Sequence, residues 1–308
     1  MSASLYCMEH KVTGEMALNQ PANLIPFMGM PQPAEEAARA ALIPVPLEAT
    51  VSYGGGTALG PAGLLRASAQ VELYDELLDL EPYAYGILTR PRVAVHGEIT
   101  EVLERIEKAA AAEIEAGRLP VLLGGEHTVT LGALKALLKK RGPDFTVLTL
   151  DAHLDLRDEY EDSPYSHACV MRRALDLGLT VRHMGSRSCS TEEIELVRKL
   201  GLKPIWARQV HQDPDWRQKA LQDLSGPIYI SLDVDGLDPS IMPGTGTPEP
   251  GGLDWNQVSD WLAAACRGRE VVGLDIVELA PQPGQALSDF TAARLLYRAL
   301  GLALKEKP

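Results

Sequence analysis

The chain has 308 residues, 45% of them hydrophobic, and a formal net charge of −13. That is ample material for a large core, with a charge that disfavours nucleic acid and anionic lipid and attracts small cations. No run reaches the roughly 18 apolar residues of a membrane span, and the opening MSASLYCMEHKVTGE lacks the basic start and apolar middle of a secretory signal, so a cytoplasmic protein without membrane or nucleic-acid partners is expected.

Residues 1–38, with NQPANLIPFMGMPQP in the middle, show no sustained periodicity and read as an extended N-terminal arm. From residue 39 to 308 apolar strand-like runs alternate with helical patterns, with no linker between them, which predicts a single domain. ALIPVPL is followed by GPAGLLRASAQVELYDELL, taken as one helix. The amphipathic ITEVLERIEKAAAAEIEAGR precedes LPVLLGG, and TLGALKALLKKRG precedes FTVLTLDAH. SHACVMRRALDLG leads to VRHMGSR, TEEIELVRKLG to KPIWA, DPDWRQKALQDL to PIYISLDVD, and LDWNQVSDWLAAACRG to EVVGLDIVELA, before a closing helix DFTAARLLYRALGLALK. Short strands alternating with helices of this length predict crossover units and a mostly parallel sheet covered on both faces, an α/β fold whose ligands bind at the carboxyl ends of the strands.

YGGGTALGPAG has the glycines of a nucleotide loop but neither the G-x-G-x-x-G spacing nor a Gly-Lys-Ser/Thr ending, and reads as a turn or substrate loop. The four cysteines, Cys7, Cys169, Cys189 and Cys266, form no C-x-x-C pair, which speaks against a zinc cage or a disulfide framework.

The chemistry concentrates where apolar runs end in acids. LTLDAHLD places Asp151, His153 and Asp155 at a spacing of two; YISLDVDGL repeats the spacing with Asp233 and Asp235; and VLLGGEH closes on His127. If the first segment stays extended, its three side chains project to one side. Singly, each acid has a plainer reading as a helix cap and each histidine as a packed or surface residue, but capping needs one oxygen per helix start and not pairs. Four carboxylates gathered at neighbouring strand ends repel one another unless cations neutralise them, and about four negative charges suit two divalent ions. Oxygen donors with two imidazoles and no thiolate favour Mn2+ or a similar hard ion, and two such ions roughly 3.5–4 Å apart can share one oxygen nucleophile.

The segments LLGGEHTVT, LDAHLDLRDEYEDSPYSHACVMRRA, SLDVDGLDPSIMPGTGTPEPGGL and GLDIVELAP closely resemble the ureohydrolases, the family of arginases and agmatinases, and most of all the agmatinase branch. VPLEATVSYGGGTALGPAGLLRAS also looks like the family's opening, so the resemblance covers nearly everything beyond the arm. It implies a three-layer α/β/α sandwich, a dinuclear Mn2+ centre in each subunit, and assembly as a homotrimer or homohexamer. His127, Asp151, Asp155 and Asp233 would bind one ion and Asp151, His153, Asp233 and Asp235 the other, with Asp151 and Asp233 bridging. The resemblance also implies Asp155 as the proton relay to the leaving amine, His167 as the proton shuttle to solvent, and Glu278 as the partner of the substrate's guanidinium.

The segment LRDEYEDSPYSH bears on the substrate. Asp158, Glu159, Glu161 and Asp162 would repel a carboxylate and attract an amine, while Arg157 argues the other way. Agmatine, a guanidine cationic at both ends, is therefore the first expectation, with hydrolysis to putrescine and urea in polyamine biosynthesis. N1-aminopropylagmatine or another guanidine is the alternative, and a metal-binding regulatory homologue without activity is the reading from outside enzymology.

Overall fold

Runs such as AALIPV and LPVLLG are buried along their whole length, which is what a strand requires when helices cover both faces of its sheet. The computed structural model describes residues 25–305. In chain order its elements are β1 (Ala40–Val45), α1 (Gly60–Ser68), β2 (Ile87–Thr89), α2 (Ile99–Glu115), β3 (Leu119–Gly124), α3 (Thr130–Arg141), β4 (Thr146–Leu150), α4 (Val170–Asp176), β5 (Thr180–Ser186), α5 (Thr191–Leu200), β6 (Ile205–Trp206), α6 (Ala207–Gln212), α7 (Trp216–Leu221), β7 (Ile228–Asp233), α8 (Trp255–Cys266), β8 (Val271–Val277) and α9 (Leu287–Lys305). The strands lie in the order β2-β1-β3-β8-β7-β4-β5-β6, and every pairing among them is parallel.

Alternate residues of each strand feed two cores. On β1, Leu42 joins a cluster with Leu64 of α1, Trp261 of α8 and Leu296 of α9, while Ile43 and Val45 join another with Leu103 of α2, Leu134 of α3 and Met171 of α4. Two helical layers around one sheet make the expected α/β/α sandwich. The strand order brings the carboxyl ends of β3, β8, β7 and β4 side by side, and those four ends carry His127, Glu278, Asp233 and Asp151.

Some elements depart from the sequence reading. The helix expected to run to Leu78 stops at Ser68, whose hydroxyl donates to Leu65 O and accepts from Met28 N. Beyond it Asp75 turns the chain by accepting the amides of Leu77 and Leu78 and pairs with Arg298 of α9, both residues being buried. Strand β2 was not anticipated. Gln32 covers it, donating to Thr89 O and accepting from Thr89 N, which satisfies an edge that would otherwise stay open. Of the predicted arm, residues 1–24 lie outside the described residues; Phe27 and Met28 are buried in the core of this chain. Cys169 and Cys189 are free thiols. Among the described residues no helix is long and apolar enough to cross a membrane.

Candidate metal centre

The acids after β4 and β7 are placed by the same local device. β4 ends at Leu150, so the chain from Asp151 onward is not the extended segment the spacing suggested. Instead Asp151 Oδ1 accepts the amide of His153 at 2.6 Å, and after β7 Asp233 Oδ1 accepts the amide of Asp235 at 2.9 Å. Each first acid closes a turn onto the residue two ahead, as short acidic side chains readily do. The two strand ends are tied together by the amide of Ala152, which donates to Asp235 Oδ1 at 3.0 Å. Asp155 lies further along, at φ 52. Its carbonyl accepts the amides of Met171 and Arg172 at the start of α4, and the next amide, Leu156 N, donates to Glu193 Oε1.

His127 follows β3 through Gly125, where a Cβ would lie 1.9 Å from Leu47 O; only glycine lets the turn press against that carbonyl. The His127 amide donates to Glu278 Oε1 at 2.6 Å. Glu278 itself sits at φ 63 immediately beyond β8. Asp155 and Glu278 thus both hold an unfavourable backbone conformation, a cost that surrounding hydrogen bonds offset and that clusters at functional positions.

These turns bring all six candidate ligands together. His127 Nδ1 lies 2.9 Å from Asp155 Oδ2 and 3.3 Å from both Asp151 Oδ2 and Asp233 Oδ2. His153 Nδ1 lies 2.9 Å from Asp235 Oδ2 and 3.6 Å from Asp151 Oδ1. Two groups have ligand geometry, His127 with Asp151 and Asp233, and Asp151 with His153 and Asp235. Asp151 belongs to both, as a bridging carboxylate must; Asp233 belongs to the first.

The electrostatics fit divalent cations. Asp151, Asp155, Asp233 and Asp235 are all buried. Burial, reinforced by the neighbouring Asp151 carboxylate, pushes the Asp155 carboxyl up to about 7. Burial and the carboxylates of Asp235 and Asp151 drive Asp233 well above its ordinary value. Although burial opposes charge on His127, the carboxylates of Asp151, Asp155 and Asp233 hold its pKa well above normal. His127 Nδ1 and Asp151 Oδ2 are buried without a hydrogen-bond partner. An acid-rich cluster with orphaned donor atoms aimed inward suits a cation, and the set of carboxylates with two imidazoles suits a hard divalent one.

His167 stands at the rim, where sequence reasoning missed its supports. Its Nδ1 lies 2.8 Å from Thr50 Oγ1 and its Nε2 lies 2.8 Å from Ser52 Oγ. Thr50 Oγ1 donates to Glu126 Oε1, and Glu126 Oε2 accepts the amides of Ala49 and Thr50, both at 2.6 Å. A threonine proton committed to Glu126 leaves the oxygen to accept from Nδ1–H, so Nε2 is the bare nitrogen and Ser52 donates to it. Burial, with positive charge on His127 and His153, lowers the His167 pKa to about 4, keeping the ring neutral. The sequence offered one clue, a charged Glu126 directly after the apolar VLLGG.

His153, Asp155, His167, Asp233 and Asp235 line a cavity of about 220 Å³ whose wall also includes Thr50, Ser52, Tyr53, Arg157, Tyr160 and Glu278. Of residues 157–162, Arg157 and Tyr160 reach that wall, whereas Asp158, Glu159, Glu161 and Asp162 do not. Asp158 pairs with Arg172 and Arg173, while Glu161 and Asp162 adopt φ 51 and 61 in the tight turn between Tyr160 and Ser163. These acids shape the loop and its field without touching the cavity.

A model of the arginase family matches residues 38–301. The chain belongs to the arginase family. It is similar to the N1-aminopropylagmatine ureohydrolases of Thermus thermophilus, 40% identical over 268 residues covering 87% of this chain and 91% of the relative, and of Synechocystis, 38% identical over 271 residues covering 84% and 87%. The crystal structure of the agmatine ureohydrolase of Thermoplasma volcanium superposes with a TM-score of 0.80 at 31% identity, covering 88% of this chain and 92% of that one. As a ureohydrolase of the arginase family, the protein gathers the six candidate His and Asp ligands at one set of strand ends.

Proposed function

We propose that the protein hydrolyses the terminal guanidine of a linear guanidino-amine to urea and the free amine, with N1-aminopropylagmatine preferred and agmatine next, using two Mn2+ ions per subunit. The observation that carries this reading is the buried cluster of four carboxylates and two imidazoles at a cavity whose wall also holds Glu278. The sequence reading ranked agmatine first. The order is reversed because the two relatives described above are named for the aminopropyl compound.

In this reading His127, Asp151, Asp155 and Asp233 would hold one ion, and Asp151, His153, Asp233 and Asp235 the other. Such ions neutralise the carboxylates and make an oxygen nucleophile available near neutral pH. Glu278 has one oxygen committed to the His127 amide, which fixes the carboxylate so that Oε2 can meet the substrate's guanidinium by a charge-assisted hydrogen bond. Water adds to the guanidinium carbon, its protons pass to the alkyl nitrogen with Asp155 as the relay, the bond from the carbon to that nitrogen breaks, and urea and the protonated amine depart. His167, neutral and with Nε2 open to Ser52, exchanges protons between the cavity and solvent.

The test is urea release after Mn2+ preincubation, compared as kcat/KM for aminopropylagmatine, agmatine and arginine, since that ratio measures transition-state preference. The expected ranking is in that order; arginine first, or full Mn2+ occupancy with no urea from any guanidine, would overturn the reading. Chelation should abolish activity and lower the melting temperature, because an ion at 100 times its Kd stabilises the folded state by about 2.7 kcal/mol. Homotrimeric or homohexameric assembly and a cytoplasmic location complete the proposal, the former checked by light scattering on the purified protein.

A further inference from the structure

We infer that Asp275 is a positioning residue for His127, acting through Ser231 to fix which ring nitrogen carries the proton and so which one is free to ligate metal. The inference rests on the metal reading of the cluster. Asp275 lies in the middle of β8, directly across from Ser231 of β7, and is fully buried. A carboxylate enclosed between apolar strands is costly unless donors surround it. Three hydroxyls do: Ser231 Oγ donates to Oδ1 at 2.7 Å, and Tyr229 Oη and Thr130 Oγ1 donate to Oδ2 at 2.7 and 2.8 Å. Structural burial alone would account for a Leu at this site more simply than for an Asp with three partners.

Counting protons gives the network a direction. An ionised carboxylate has none to give, and each hydroxyl has one. Once Ser231 spends its proton on Asp275, its oxygen can meet His127 Nε2, 2.9 Å away, only as an acceptor. Nε2 therefore keeps its hydrogen. With a metal ion bound the ring would be neutral and its lone pair would lie on Nδ1, the atom that faces Asp151, Asp155 and Asp233 at 2.9 to 3.3 Å and has no hydrogen-bond partner. A bare nitrogen so close to three carboxylates is repelled unless a cation lies between them. Ligating histidines commonly donate their second nitrogen to a carboxylate directly; here a serine is interposed, and Asp275 sets the serine's direction. Tyr229 and Thr130 satisfy the far oxygen and do not touch the relay itself.

The experiment is Mn2+ binding to the full-length protein by calorimetry and equilibrium dialysis, with no substrate present. Asp275→Asn keeps the shape but offers an amide N–H to Ser231, turning the serine proton toward Nε2 and the ring proton onto Nδ1. It should weaken one of the two Mn2+ sites by about 10- to 100-fold. Ser231→Ala, a smaller change that guards against misfolding of the first variant, should do the same, and Ser231→Thr, which restores the hydroxyl, should recover the affinity. Tyr229→Phe and Thr130→Val should lower the melting temperature while leaving Mn2+ affinity unchanged. Wild-type affinity in both Asp275→Asn and Ser231→Ala would overturn the inference, as would equal loss in all four substitutions, which would mark the network as structural only. A wild-type protein that binds no Mn2+ would instead overturn the metal reading beneath it.

Discussion

The chain leaves β4 and β7 by the same first turn but then diverges, although both strands lead into nearly the same acids. After β7 one short turn, Val234–Gly236, suffices: Asp233 holds the Asp235 amide with Oδ1 and faces His127 with Oδ2. After β4 the first step is identical, Asp151 holding the His153 amide with Oδ1 and facing His127 with Oδ2. The chain then runs on to a third ligand, Asp155, and needs a left-handed backbone there and support from Glu193 to place it. The spacing of two is thus set by turn closure and not by strand alternation. A first acid in each motif does two jobs with its two oxygens, while the third ligand of the β4 end depends on neighbours.

The largest effect expected from breaking this difference is at Asp155. Asp155→Asn should take urea release to background while the protein stays folded, because asparagine tolerates positive φ nearly as well as aspartate. Atomic absorption would show whether Mn2+ is retained. Asp155→Ala should be equally inactive and also less stable by about 1 kcal/mol, the penalty an ordinary side chain meets in the left-handed region. Nearly normal turnover in Asp155→Asn would remove its role as proton relay.

Much of this was legible in the sequence, for identifiable reasons. The parallel sheet followed from helical and strand periods alternating without a linker, and the acids stood out because VLTL and YISL are too apolar to end in carboxylates without cause. What was not legible depended on remote partners. The helix after Ser68 was overcalled because Val71 and Leu78 are spaced as on a helix, whereas an ion pair between Asp75 and Arg298, 223 positions apart, holds that segment in another shape. Thr50 and Ser52 reach His167 from another loop, and Glu126 from a third holds Thr50. Ser231 and Asp275, polar residues set inside buried strands, were a signal of local kind, as was Glu126 after VLLGG.

A smaller effect is expected at Glu193, which serves the β4 end alone. Its Oε1 takes the Leu156 amide and its Oε2 the Ser190 amide, in a box that also caps α5. Glu193→Ala should cost about 1 kcal/mol of stability through the lost cap. By loosening Asp155 it should also lower kcat by about 10- to 100-fold, as small misplacements of reacting groups do. Mn2+ held through Asp233 and Asp235 should remain. Loss of both ions in this variant would mean that the two strand ends are not independent.

The smallest effect should come from Asp158, and it separates two accounts of specificity. Asp158 is 72% exposed on its side chain and pairs with Arg172 and Arg173 away from the cavity. Asp158→Asn should therefore leave the melting temperature within error and the ranking of agmatine, aminopropylagmatine and arginine unchanged, any residual effect on KM fading with added salt as a long-range field does. Arg157, one residue earlier, lines the cavity with its guanidinium stacked 5.2 Å over Tyr160. Arg157→Gln should improve kcat/KM for the cationic amines relative to arginine, because it removes a like charge from the wall they pass. If Asp158→Asn shifts the ranking as much as Arg157→Gln does, then the field of the acidic loop, and not contact at the wall, selects the substrate.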